Sequence, residues 1–119
     1  MQMLTVGQAK EYLRVDSDFE DSLVESLLLA AESLCRNVAR LTMEEWDDLC
    51  KVTVDDEGKV TEIHCESHSL AEILQMRELL RIAVLYAVGY LFEHREQADH
   101  HDLVLTLRSL LFSIREGVL

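Results

Sequence analysis

Residues 79–97 read LLRIAVLYAVGYLFEHREQ, an apolar run that breaks off into Glu93, His94, Arg95 and Glu96. Upstream, Ser69 can cap a helix with Glu72 three residues on, and the helical pattern then continues to about His94. Met76, Leu80, Ala83, Val84, Ala87 and Leu91 form one stripe, while Leu79, Ile82, Tyr86 and Tyr90 occupy other sides. A helix that is apolar around most of its circumference must be buried around most of it.

Working outward from this helix, HREQADHHD reads as a polar link. A last helix follows from about Asp102 to Glu116, with Leu103, Val104, Leu107, Leu110, Leu111 and Ile114 covering more than one face. Toward the N-terminus, Thr5 and Gln8 make a capping box for a short helix ending near Leu13, and Ser17 with Glu20 suggests a second box. From Phe19 to Leu41, the residues Val24, Leu27, Leu28, Ala31, Leu34, Cys35, Val38 and Leu41 recur at steps of three and four, which predicts an amphipathic helix. Thr42 and Glu45 cap a third short helix, with Trp46 and Leu49 facing inward. Over about 51–64 the period changes to two, with Val52 and Val54 before an acidic turn at Asp55–Gly58 and Val60 and Ile63 after it, the pattern of a short β-hairpin insertion. The absence of proline and the presence of only four glycines favour long helices with short links. The expectation is a single all-α domain over residues 1–119, a small bundle of four to five helices.

Composition narrows the function. Twenty-three acids against eleven bases give a net charge of -12, which opposes attraction to bare DNA or to an anionic membrane surface. Arg81 interrupts the one run that approaches a membrane span. Three cysteines, Cys35, Cys50 and Cys65, without the spacing of a disulfide scaffold and without a secretory signal, fit a reducing cytoplasm.

Reactive chemistry has little to stand on. EIHCESH gathers His64, Cys65 and His68, with Cys50 a further thiol, but no CxxC or HExxH pair anchors a zinc site, and no metal site is expected. His94, His100 and His101 read as solvated loop histidines. No strained nucleophile elbow and no glycine-rich phosphate loop is present, so neither a catalytic residue nor a cofactor is expected. Asp16, Asp18 and Asp21, and Asp47, Asp48, Asp55, Asp56 and Glu57, match no calcium loop and read as solvated acidic surface. The same charge admits an alternative, an acidic protein-binding module that mimics DNA and attracts basic proteins. The two C-terminal helices carry more apolar faces than so few helices can cover, which predicts association.

Two blocks carry a family likeness. LTVGQAKEYLRVDSDFEDSLVESLLLAA at 4–31 and LRIAVLYAVGYLFEHREQ at 80–97 resemble the signature blocks of the phage head-tail connector (adaptor) proteins, also described as DNA-packaging proteins. In the first block the matching positions are Leu4, Thr5, Ala9, Lys10, Leu13, Arg14, Val15, Asp16, Asp18 and Asp21. In the second they are Leu91, Phe92, Glu93, His94, Arg95 and Glu96, with Phe92 where the family has tyrosine. The family's proline and glycine before the last helix are replaced by ADHHDLVLTLRSLL, in which Leu107, Arg108, Leu110 and Leu111 keep its pattern. The resemblance implies a non-enzymatic virion protein of the head-tail junction, present in the bacterial host cytoplasm before assembly. It implies a ring of roughly a dozen copies, closed by heterologous contacts. The ring would sit between the portal and a downstream head-closure or tail protein, with DNA passing through without sequence-specific binding and no membrane involved. Subunit contacts would then fall on Tyr86, Tyr90, Glu93, Arg95, Glu96, Leu107, Arg108, Leu111 and Arg115, with the arginines pairing to Glu93, Glu96 or the acids of the first helices.

Overall fold

The computed structural model describes residues 2–16, 18–51, 53–54, 60–62, 70–94 and 100–116. Among them the chain is almost wholly helical: α1 (Val6–Leu13), a 3-10 turn (Asp18–Glu20), α2 (Asp21–Val38), α3 (Met43–Cys50), α4 (Leu70–Glu93), α5 (His101–Leu110) and α6 (Phe112–Glu116). Two short strands, β1 (Thr53–Val54) and β2 (Val60–Glu62), pair antiparallel between α3 and α4, Thr53 opposite Glu62 and Val54 opposite Val60, with an irregularity between them. The turn residues Asp55 to Gly58, with Val52 and Ile63, lie outside the described residues.

Local signals start the short helices where the sequence places them. Thr5 accepts from the Gln8 N–H while the Gln8 side chain accepts from the Thr5 N–H, closing the capping box of α1. Thr42 and Glu45 do the same for α3. Helix α2 begins at Asp21, with Glu20 in the cap position making no side-chain cap hydrogen bond. Ser17 and Ser69 lie outside the described residues.

Two helices end on arginine. Arg14 after α1 and Arg40 after α2 both hold a left-handed backbone with φ 59°. In each case the arginine N–H and the following N–H fold back onto carbonyls of the last turn, Arg14 to Glu11 and Val15 to Lys10, Arg40 to Asn37 and Leu41 to Arg36. This is the hydrogen-bond pattern of a glycine-terminated helix, carried by a residue for which that backbone costs about 1 kcal/mol.

The core forms where α4 crosses its neighbours. Ile73, Leu80, Ala83, Val84, Ala87 and Val88 are fully buried. They pack within one cluster with Val24, Leu28, Ala31 and Cys35 of α2, Ala9 of α1, Trp46 and Leu49 of α3, and Leu103, Leu107 and Leu111. The α2–α4 pairing is the most extensive, and α1, α3 and α5 also lie against α4. Its apolar circumference is therefore covered chiefly by four helices of its own chain. The Lys10 ammonium lies 2.6 Å from the Asp21 carboxylate and ties α1 to the start of α2.

The last helix differs from the expected single element. It breaks at Leu111 (φ -102°, ψ 13°) into α5 and α6. Neither proline nor glycine stands there, and Leu111 is fully buried, so packing against the core rather than local propensity sets the bend.

Candidate functional site

The described surface holds eight exposed large hydrophobic side chains: Tyr12, Phe19, Leu29, Met43, Ile82, Tyr86, Leu105 and Phe112. Six of them line three depressions in pairs, Tyr12 with Tyr86, Leu29 with Met43, and Leu105 with Phe112. Apolar residues collected in concave patches rather than scattered singly are the signature of a surface that meets another molecule.

One depression, a cleft of about 680 Å³, lies between the end of α1 and the C-terminal half of α4. Tyr12, Leu13 and Arg14 form one wall, and Tyr86, Gly89, Tyr90, Phe92, Glu93 and His94 form the other. The chain has three tyrosines, and all three are here. Gly89 makes the close approach possible, because a Cβ at this position would stand 3.1 Å from Cε1 of Tyr12. Tyr90 anchors the far end: its ring stacks on His94 at 4.2 Å and meets the edge of His100 at 5.8 Å. His94 Nδ1 lies 2.9 Å from the Tyr90 carbonyl oxygen. These two histidines are therefore half-buried packing partners of Tyr90, not the solvated loop residues expected. The cleft presents aromatic faces with a guanidinium and a carboxylate at its rim, a surface suited to apolar and planar groups of a partner chain.

The residues expected at a subunit boundary fall in different settings. Tyr86, Tyr90 and Glu93 line the tyrosine cleft, and Arg108 lines the Leu105–Phe112 depression. Leu107 and Leu111 are instead fully enclosed in the chain's own core, where they can touch no second copy; the two apolar faces of the last helix are divided the opposite way, with Leu105 and Phe112 outside. Arg115 is only 12% exposed at its side chain, and its Nε lies 3.7 Å from the adjacent Glu116. Arg95 and Glu96 lie outside the described residues, as do His64, Cys65 and His68.

One buried acid was not anticipated. Glu32 on α2 is 6% exposed, and its Oε1 accepts from the Met3 N–H. Burial pushes its carboxyl up to about 7, against the opposing effect of the Met3 and Leu4 N–H groups. Among the described residues its Oε2 has no hydrogen-bond partner. Glu32 lies one helical turn beyond Leu28, beside the apolar stripe, and that position was the available signal. Burial, with the Glu32 carboxylate adding to it, pushes the Cys35 thiol up to about 12 and the Cys50 thiol up to about 11, so both stay protonated at neutral pH and are poor metal ligands or nucleophiles. Among the described residues no group of three or more His, Cys, Asp or Glu is placed to hold a metal ion, and no helix is long and apolar enough to cross a membrane.

Compared with protein-family models, with curated proteins and with solved structures, the chain matches none.

Proposed function

We propose that this chain is a structural subunit of the head-tail connector of a tailed bacteriophage or prophage, performing no reaction. The reading rests on the two sequence blocks that resemble the connector family and on one structural observation. Four of the eight exposed large hydrophobic side chains, Ile82, Tyr86, Leu105 and Phe112, sit on the C-terminal helices α4 to α6 after the chain has packed its own core. In the proposed virion the helices form a small bundle with a hairpin inserted at about 51–64. Roughly a dozen copies close a ring by heterologous contacts. The ring sits beneath the portal, meets a head-closure or tail protein on its other side and extends the channel through which DNA passes. A wall on a chain of net charge -12 does not trap phosphates through counterion release, so DNA can slide. Assembly takes place in the bacterial host cytoplasm and ends at the head-tail junction.

Sedimentation velocity with native mass measurement, over a rising concentration of wild-type chain, tests this. A concentration-dependent approach to a closed ring of many copies is expected. A monomer at every concentration that instead captures a basic host protein would replace this reading with the acidic, DNA-mimicking module, which the net charge alone favours.

A further inference from the structure

Residues 2–4 precede the capped start of α1 and belong to no helix or strand. Met3 and Leu4 are nonetheless buried, 7% and 2% exposed, in the same cluster as Trp46 and Leu49 of α3. Among the described residues, Gln2, Met3 and Leu4 make no backbone–backbone hydrogen bond. Their polar anchor is Glu32 of α2, whose carboxylate accepts from the Met3 and Leu4 N–H groups. Apolar burial and one carboxylate therefore hold this segment to the body of the chain.

The anchor is at odds with its surroundings. Both N–H groups favour the ionised carboxylate, but the side chain is 6% exposed and its Oε2 has no hydrogen-bond partner among the described residues. A buried carboxylate with an unpaired oxygen is relieved in one of two ways, by taking a proton or by regaining water. Regaining water requires something to move. Glu32 lines a depression of about 270 Å³ with Gln2, Leu29, Ser33, Arg36, Met43 and Trp46. Five of these six stand on α2 or α3, and Gln2 alone stands outside a helix. Residues 2–4 are therefore the part of this wall with the least to hold it.

We propose that residues 2–4 are a proton-controlled latch, closed over α2 and α3 while Glu32 is protonated and released when Glu32 ionises. Release lets the carboxylate reach water and opens the depression of Leu29, Met43 and Trp46 into the site vacated by Met3 and Leu4. Burial places the Glu32 carboxyl at about 7, against an ordinary 4.5. Between those two values each pH unit moves the balance about tenfold toward the released form, and above 7 the balance is level. The other groups around Glu32 do not supply this response. Cys35 of α2 and Cys50 at the end of α3 have thiols pushed up to about 12 and about 11, and Arg36 is a guanidinium, charged throughout. Asp47 of α3 and Arg77 of α4 act on Cys50. The α-ammonium of the chain draws the Glu32 carboxyl down and titrates near about pH 8, so a variant must separate the two. The latch does not depend on the connector reading.

Three thioethers report the latch without perturbing it: Met3 in the segment, Met76 on α4 at 7% exposure and Met43 on α3 at 60%. The wild-type chain is treated with dilute hydrogen peroxide, and sulfoxide at each methionine is followed by tandem mass spectrometry. From about pH 5 to about pH 8 the Met3 rate, relative to Met43, should rise at least about tenfold while Met76 stays slow. Glu32→Gln keeps an acceptor for the Met3 N–H and loses the charge, so its Met3 should stay slow at both pH values. A wild-type Met3 rate that does not change with pH would overturn the latch, as would Met3 and Met76 rising together, which marks loosening of the whole core. Failure of Glu32→Gln to keep Met3 slow at the higher pH, in a variant whose circular dichroism matches wild type, would overturn it too.

Discussion

Helices α2 and α4 are neighbours in the same core and solve different problems. On α2 the apolar residues keep to one stripe: Val24, Leu28, Ala31 and Cys35 are buried, and Leu29, one step off the stripe, is 52% exposed. On α4 the buried residues cover a wider arc, Ile73, Leu80 and Ala87 along its middle with Met76 and Ala83 on one flank and Val84 and Val88 on the other, and Ile82 on the opposite side is still 54% exposed. A helix with one neighbouring face needs one stripe, whereas α4 receives α1, α2, α3 and α5. Apolarity on several sides is thus mostly a requirement of the monomer. Only the remainder at Ile82 and Tyr86 is left for a partner, which is a smaller share than the sequence alone suggests.

The contrast can be broken most directly on α4 itself. Leu80→Ala should cost about 3 kcal/mol in urea unfolding, from lost burial and an unfilled cavity, because the side chain is fully enclosed. A cost under about 1 kcal/mol would mean that α4 is not the centre of the core.

The exception on α2 gives the next largest effect. Glu32 has a folded-state carboxyl raised from 4.5 to about 7, so the protonated form is the one the fold favours. Its contribution is fully present below about pH 4.5 and is lost as pH rises through 7. Glu32→Gln can still accept from the Met3 N–H through its amide oxygen without the charge. It should gain about 1–3 kcal/mol over wild type at pH 8 and little at pH 4, read as paired urea melts. An equal difference at both pH values would contradict the assigned cause.

A smaller effect sharpens the role of Gly89. Gly89→Ala improves helix propensity by about 1 kcal/mol but pushes a Cβ to 3.1 Å from the Tyr12 ring. In a Tyr12→Ala background the same change should show the full gain, so a double-mutant cycle should give a coupling of about 0.5–1 kcal/mol. Smallest of all, Ile82→Ser should change monomer stability by less than about 0.5 kcal/mol, since the side chain already faces solvent.

What was legible in the sequence follows from how local each determinant is. The capping boxes at Thr5–Gln8 and Thr42–Glu45 involve residues three apart, and the α2 stripe follows a single period, so both could be read directly. The division of the last helix could not. Leu105, Leu107, Leu111 and Phe112 are all large and apolar, and which of them turn inward depends on where α2 and α4 lie. Burial of Glu32 depends likewise on a backbone N–H 29 residues upstream. The tyrosine cleft joins the two ends of the chain and required Gly89 to be recognised as the residue that admits Tyr12.

Hydroxyl-radical footprinting of the wild-type chain, dilute and concentrated, reads the central claim side chain by side chain. Leu80 and Leu107 should be protected at both concentrations, whereas Phe19, Tyr86, Leu105 and Phe112 should react when dilute and lose reactivity as copies associate. Unchanged reactivity of Phe19 and Phe112 in the concentrated sample would show that identical neighbours do not cover the apolar surface this chain leaves outside its core.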